Sequence, residues 1–85
     1  MPHHKSAAKR VRTNEKARQR NIAARSRMRS AIKAVRDAKN RADGDTAFLE
    51  AMSILDRTVA KGVIKKETAN RHKARLALFT QKLPA

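Results

Sequence analysis

One stretch near the N-terminus combines a strong helix-forming composition with positive charge that is almost unopposed. Residues 5–30, KSAAKRVRTNEKARQRNIAARSRMRS, contain ten Lys or Arg residues and a single acid, Glu15. No Gly or Pro occurs from residue 6 to residue 42, and Ala, Arg, Lys, Gln and Met all favour helices. We therefore predict one helix over about residues 6–42, roughly 50 Å long at 1.5 Å per residue. A chain of 85 residues does not need so long a helix for its own packing, so part of it should project.

The apolar face of this predicted helix begins only near its middle. With successive residues placed 100° apart, one apolar stripe comprises Ala24, Met28, Ala31, Ile32, Val35, Ala38 and Ala42. Upstream, Val11 and Ile22 lie on a different side of the helix, and Ala17 alone continues the stripe. The first half of the helix has almost nothing to bury against protein, so we expect this half to project.

Two shorter helices are predicted downstream. The sequence DGD at residues 43–45 predicts the end of the first helix, with Gly44 in a left-handed turn and Asp45 as the next N-cap. The second helix should cover about residues 46–61, followed by Gly62 at the position after its C-cap. Its predicted core face contains Phe48, Leu49, Met52, Ile54, Leu55 and Val59.

The third helix should cover about residues 66–82, ahead of Pro84. Its predicted inner face contains Ala69, His72, Leu76, Phe79 and Leu83. Short connections make successive helices antiparallel neighbours. The predicted fold is therefore all-α: one domain over residues 1–85, an up-down-up three-helix bundle with a long, basic, projecting first helix.

The distribution of charge indicates an acidic partner. The chain has 22 basic and seven acidic residues and a formal net charge of +15. Residues 1–41 carry +12, residues 42–60 carry −3 and residues 61–85 carry +6. A compact fold tolerates such self-repulsion better beside a polyanion, which two of the three segments could contact.

Composition argues against several classes of function. A small chain whose apolar residues are often alanine has too thin a core to enclose a substrate. Its acidic residues are scattered along the sequence. We therefore predict that it is not an enzyme and that it has no small-molecule substrate and no cofactor. Cysteine is absent and His72 stands apart from His3 and His4, so no metal site is predicted. No apolar run suits a signal peptide or a membrane span, which favours a cytoplasm-like compartment.

Basic residues form two ridges along the first helix and a patch on the third. One ridge comprises Lys9, Lys16, Arg20 and Arg27, and the other comprises Arg18, Arg25 and Arg29. The patch on the third helix comprises Lys65, Lys66, Arg71, Lys73 and Arg75. The only aromatic residues, Phe48 and Phe79, fall on core faces, so base stacking on aromatic rings is not expected. Recognition of the backbone and shape of folded RNA, or nonspecific DNA binding, remains open at this point.

Three blocks of sequence resemble the bacterial small-subunit ribosomal protein S20 family. They are HKSAAKR at residues 4–10, RSRMRSAIK at residues 25–33 and LDRTVAKGVIKKETANRHKARL at residues 55–76. The spacing of the blocks matches as well as their content, and the resemblance covers nearly the whole chain.

The resemblance implies a protein that binds 16S ribosomal RNA directly and joins early in assembly, as a monomer within the ribosome of the bacterial cytoplasm. It implies contacts with the 5′ domain and with the long helix near the 3′ end of the RNA. The residues that match the RNA-contacting set of the family are Lys5, Ser6, Lys9, Arg10, Arg18, Arg20, Asn21, Arg25, Ser26, Arg29, Lys66, Arg71, Lys73 and Arg75. The charge map adds Lys16 to this set.

Two alternative functions would also depend on the positive charge of the chain. A histone-like protein would bind duplex DNA and ribosomal RNA with equal affinity. A membrane-surface helix would need a stronger apolar face than residues 28–42, which are rich in alanine and lack Trp. Under the RNA-binding hypothesis, we expect Arg25 and Arg29 to serve RNA binding and to contribute little to the stability of the bundle.

Overall fold

The computed structural model describes residues 2–85 of the chain, with side chains from residue 7 onward. It contains three α-helices: α1 is Pro2–Asp37, α2 is Arg41–Ala60 and α3 is Lys66–Gln81. No strand occurs in the described residues, and the first helix is the longest at 36 residues. The prediction of an all-α fold with a long first helix is confirmed.

Contacts between the helices show that successive helices run in opposite directions. The Arg25 guanidinium, in the middle of α1, donates a hydrogen bond at 3.2 Å to the carbonyl of Val63, just after α2. The Arg41 backbone N–H, at the start of α2, donates at 2.8 Å to the carbonyl of Pro84, just after α3. The end of α2 therefore lies beside the middle of α1, and the end of α3 lies beside the start of α2.

Half of α1 extends beyond the bundle. Every residue from 7 to 16 is exposed, and Ala17 is the first that is partly covered. The molecule measures 67 × 20 × 13 Å with a radius of gyration of 17.6 Å, whereas a compact chain of this length would have about 12 Å. The predicted projection of the first half of the helix is confirmed.

A small core holds the three helices together. Its buried residues are Met28, Val35, Ala51, Leu55, Ala69 and Leu76. Leu55 and Val35 are 0% exposed and Leu76 is 2% exposed, as expected from the apolar patterns. Two threonines that the patterns missed are also buried, and each hydroxyl bonds within its own helix: Thr58 to the Ile54 carbonyl at 2.6 Å and Thr80 to the Ala77 carbonyl at 2.9 Å.

The predicted boundary between the first two helices is wrong. Helix α1 ends at Asp37, not near residue 42, and α2 begins at Arg41, not at residue 46. The cause is an N-cap at Asn40, which has extended backbone angles (φ −137°, ψ 167°) and accepts a hydrogen bond from the Asp43 N–H at 2.8 Å. An asparagine side chain in this role satisfies a free backbone N–H at the helix start. The chain therefore reverses direction before it reaches Gly44.

Gly44 therefore lies inside α2 and not in a left-handed turn, and Asp45 is not an N-cap. Gly44 is buried, and a Cβ atom at this position would collide with the side chain of Leu83. The absence of a Cβ atom at Gly44 allows α2 to pack closely against the side chain of Leu83. By contrast, Gly62 has a φ of 74°, the left-handed conformation predicted for the residue after the C-cap of α2.

Smaller differences concern single residues. Ala42, predicted for the stripe of the first helix, is an exposed residue of α2. Leu49, predicted for the core, is 69% exposed. Helix α3 is Lys66–Gln81, close to the predicted range of about residues 66–82.

Candidate nucleic-acid interface

The projecting part of α1 forms an isolated cationic surface. We call residues 7–23 the arm; all of them are exposed except the partly covered Ala17. The arm carries six basic residues: Lys9, Arg10, Arg12, Lys16, Arg18 and Arg20. Its one acid, Glu15, lies 3.9 Å from Arg18 and accepts a hydrogen bond at 3.5 Å from Gln19. Most of the positive charge of the arm therefore faces solvent without a nearby acid.

The structure keeps both predicted ridges exposed on one continuous helix. Lys9, Lys16, Arg20 and Arg27 are exposed along one side, and Arg18, Arg25 and Arg29 along another. Asn21 and Ser26 are exposed between them, while the side chains of Lys5 and Ser6 lie outside the described residues. The helix thus presents cations in two directions, and contact of these residues with RNA stays a prediction.

Arg25 has a second role that the sequence did not indicate. Its guanidinium donates to the Val63 carbonyl at 3.2 Å and so ties α1 to the turn between α2 and α3. Arg29 is exposed and makes no hydrogen bond or ion pair with another described side chain. The expectation that both arginines leave the bundle unaffected therefore needs correction for Arg25, because its bond crosses between helices.

The predicted patch on α3 is only partly available to a partner. Lys66, Arg71 and Arg75 are exposed, as is Lys65 at the N-cap. Lys73 is instead partly buried and forms an ion pair with Asp56 of α2. Because this pair links α2 to α3, Lys73 contributes to the bundle as well as to the surface charge.

Packing adds Arg36 of α1 to the patch on α3. Partial burial, followed by the positive charges of Arg71, Arg75 and Arg36, lowers the pKa of the His72 imidazole below its ordinary value of 6.5. Arg36 is thus close enough to raise the positive potential around His72, although 36 positions separate them in the sequence. No sequence periodicity could have revealed this cluster, because it depends on how α1 and α3 pack.

A metal-binding cluster and a membrane-spanning helix are both absent from the described residues. Within the part of the chain that the structure describes, no group of three or more His, Cys, Asp or Glu residues could hold a metal ion. No described helix is both long and apolar enough to cross a membrane.

Comparison with known proteins gives consistent matches to ribosomal proteins. A family model described as "Ribosomal protein S20" matches residues 2–81. The chain is 49% identical over 74 residues to "Small ribosomal subunit protein bS20" of Nitrosomonas eutropha, covering 84% of this chain and 85% of that protein. It is 46% identical to the Shouchella clausii protein of the same name (91% of both chains) and 41% identical to that of Geobacter sulfurreducens (98% and 99%).

Proposed function

The chain belongs to the ribosomal protein S20 family, a family of structural components of the small ribosomal subunit, and we propose that it binds 16S ribosomal RNA directly and bridges segments of it. The observation that carries the proposal is the arm. Six bases and one acid lie on a helix whose residues 7–16 are all exposed. Like-charge neighbours destabilise an isolated helix, whereas phosphates on either side would offset their repulsion.

Helix α1 can contact RNA on two sides at once. Arginines donate in a planar fork that fits phosphate oxygens, and lysines supply mobile point charges. The ridge with Arg20 and Arg27 and the ridge with Arg18 and Arg29 face different directions from the same helix. Two RNA segments can therefore approach one another with α1 between them, because its two ridges neutralise phosphates on both.

The bundle supplies a further basic surface. Lys66, Arg71 and Arg75 are exposed on α3, and the charge of Arg36 of α1 acts on the same His72 as the charges of Arg71 and Arg75. We expect the arm and this surface to contact different parts of the RNA, namely the 5′ domain and the long helix near the 3′ end. The protein acts as a monomer in this arrangement, within the bacterial ribosome, and no catalytic step is involved.

The test compares two polyanions of equal length. Binding of the full chain to 16S ribosomal RNA and to duplex DNA is measured over a salt series, and helicity is followed by circular dichroism. We expect RNA binding to persist at salt concentrations that release the DNA, because a specific site adds contacts beyond counterion release. Equal affinities with equal salt slopes would contradict the proposal and favour a histone-like polyanion binder.

A further inference from the structure

A cleft lies where the arm meets the bundle. It is a partly open space of about 510 Å³ between α1, the end of α2 and the turn that follows α2. Its volume falls within the range of sites that bind small organic groups. The lining residues are Ala17, Arg20, Asn21, Ala23, Ala24, Arg27, Lys61 and Val63.

The cleft combines a small apolar floor with a cationic rim. Ala24 is buried, Ala17 and Val63 are partly covered, and none of the three carries a polar side chain. Arg20 and Arg27 are exposed two helical turns apart on one side of α1, and Lys61 is exposed at the C-cap of α2 on the opposite wall. Asn21 adds an amide that can both donate and accept hydrogen bonds.

Backbone hydrogen bonds define the wall opposite α1. The N–H groups of Lys61, Gly62 and Val63 donate to carbonyls of the last turns of α2 at 3.0, 2.9 and 3.1 Å. The bond from Arg25 to the Val63 carbonyl then joins this turn to α1. The turn that forms this wall is therefore ordered by the fold of the protein alone. The α1 wall includes arm residues 17–23, which we expect RNA to order.

We propose that this cleft binds a single unpaired nucleotide of the RNA. The proposal rests on the proposed function, since the ridges beside the cleft would hold the RNA backbone. The flat apolar face of a base fits against the alanine methyl groups and Val63, its edge is within the reach of Asn21, and its flanking phosphates face Arg20, Arg27 and Lys61. A fully paired duplex is a convex rod whose bases are stacked inside, so only an extruded base can enter a concave site.

This mode of binding does not need aromatic residues. Phe48 and Phe79 are partly buried against the core and do not line the cleft. Arginine guanidinium groups can stack on bases and also neutralise phosphates, and two arginines lie on the rim. The cleft thus provides a specific contact that the charge of the arm alone cannot provide.

The test fills the cleft without changing its charge. Ala17→Leu places a larger side chain on the floor, and Ala7→Leu is the matched control, because it makes the same change at an exposed arm position outside the cleft. Each full-length protein is bound to 16S ribosomal RNA. Hydroxyl radicals then report protection of the backbone, and dimethyl sulfate and a carbodiimide report protection of unpaired base edges.

We expect wild type and Ala7→Leu to protect at least one unpaired base that becomes reactive in the Ala17→Leu complex, while the backbone footprint is retained. Affinity of Ala17→Leu should fall roughly fivefold, the lower end of the loss expected for one stacked base. Asn21→Ala, which only removes an amide, should expose the same base and provides a second variant if Ala17→Leu folds poorly.

The outcomes separate this inference from the function on which it rests. If wild type protects the backbone but no unpaired base, or if both cleft variants protect the same bases as wild type, the nucleotide site is refuted and RNA binding stands. If wild type gives no backbone footprint on the RNA, the proposed function itself is refuted.

Discussion

The two halves of α1 are similarly basic, yet only one of them packs against protein. Six of the 17 residues from 7 to 23 are Lys or Arg, against five of the 14 residues from 24 to 37. The second half, however, buries Ala24, Met28 and Val35, whereas the arm buries no residue. Charge density therefore does not decide which half projects; the presence of apolar side chains at helical spacing does.

This difference implies two separate sources of stability within one helix. The bundle half of α1 is held by burial against α2 and α3, which lowers its free energy without any partner. The arm has helix-forming residues but no tertiary contact over residues 7–16, so its helix depends on intrinsic propensity opposed by repulsion. Changes in the core should affect the bundle, and changes in the polyanion should affect the arm.

The largest expected effect is on the bundle. Leu55→Ala should lower the free energy of unfolding by about 2–5 kcal/mol, because Leu55 is fully buried and its truncation leaves a cavity. Urea denaturation followed by circular dichroism measures this change. The matched control is Leu49→Ala, at a site that is 69% exposed on the same helix, which should change stability by less than about 0.5 kcal/mol. Equal effects of the two substitutions would contradict the observed core.

Charge reversal at the ridge should separate binding from folding. Arg29→Glu should weaken RNA binding and reduce the slope of log affinity against log salt by about 1, with the midpoint of thermal unfolding unchanged. Arg25→Glu should weaken binding similarly and also destabilise the bundle by up to about 1 kcal/mol, because the bond to Val63 is lost. A change in unfolding for Arg29→Glu as large as that for Arg25→Glu would remove the distinction between the two residues.

The helicity of the arm should depend on its partner. Without a polyanion, we expect about residues 5–24 to be frayed, because their like charges repel and no packing compensates. Addition of 16S ribosomal RNA should raise the protein's mean-residue ellipticity at 222 nm, after subtraction of the RNA signal. The Leu49→Ala protein should show the same rise. Full helicity of the arm in the free protein at low salt would show that propensity alone outweighs the repulsion.

The smallest expected effect is on the pH dependence of the bundle. The pKa of His72 is lowered in the folded protein, by partial burial first and by three arginines next. As pH falls, His72 is therefore protonated in the unfolded chain before it is protonated in the folded protein. The free energy of unfolding should decline below about pH 6.5, the ordinary pKa of histidine, and should stop declining once pH is below the folded-state pKa. Above that range His72 contributes no pH dependence. Thermal unfolding between pH 5 and pH 8 measures this decline in stability. The His72→Gln protein should show a smaller decline. If its decline equals that of the wild type, other titratable groups cause the pH dependence.

Much of the architecture was predictable because it depends on local chemistry. The stripe from Ala24 to Val35, the left-handed Gly62 and the inner face with Leu55 and Leu76 follow from helical periodicity and from the conformational freedom of glycine. The end of α1 and the start of α2 were predicted wrongly, since Asn40 offered an earlier N-cap than the more conspicuous DGD. The stretch from Asn40 to Asp45 contains several possible helix ends, and the packing of the helices determines which of them is used.

The candidate interface was predictable in its charge but not in its partners within the protein. The sequence alone determined that the arm is basic, is helical in composition and almost lacks apolar residues in line with the stripe that packs in the bundle, because these properties belong to single residues and their spacing. Only the tertiary structure shows that Lys73 pairs with Asp56 and that Arg25 donates to the Val63 carbonyl. It also shows that the charge of Arg36 acts on His72 and that a cleft lies beside Ala17. Each of these features joins residues that are distant in the chain, so it exists only once the core has brought the three helices together.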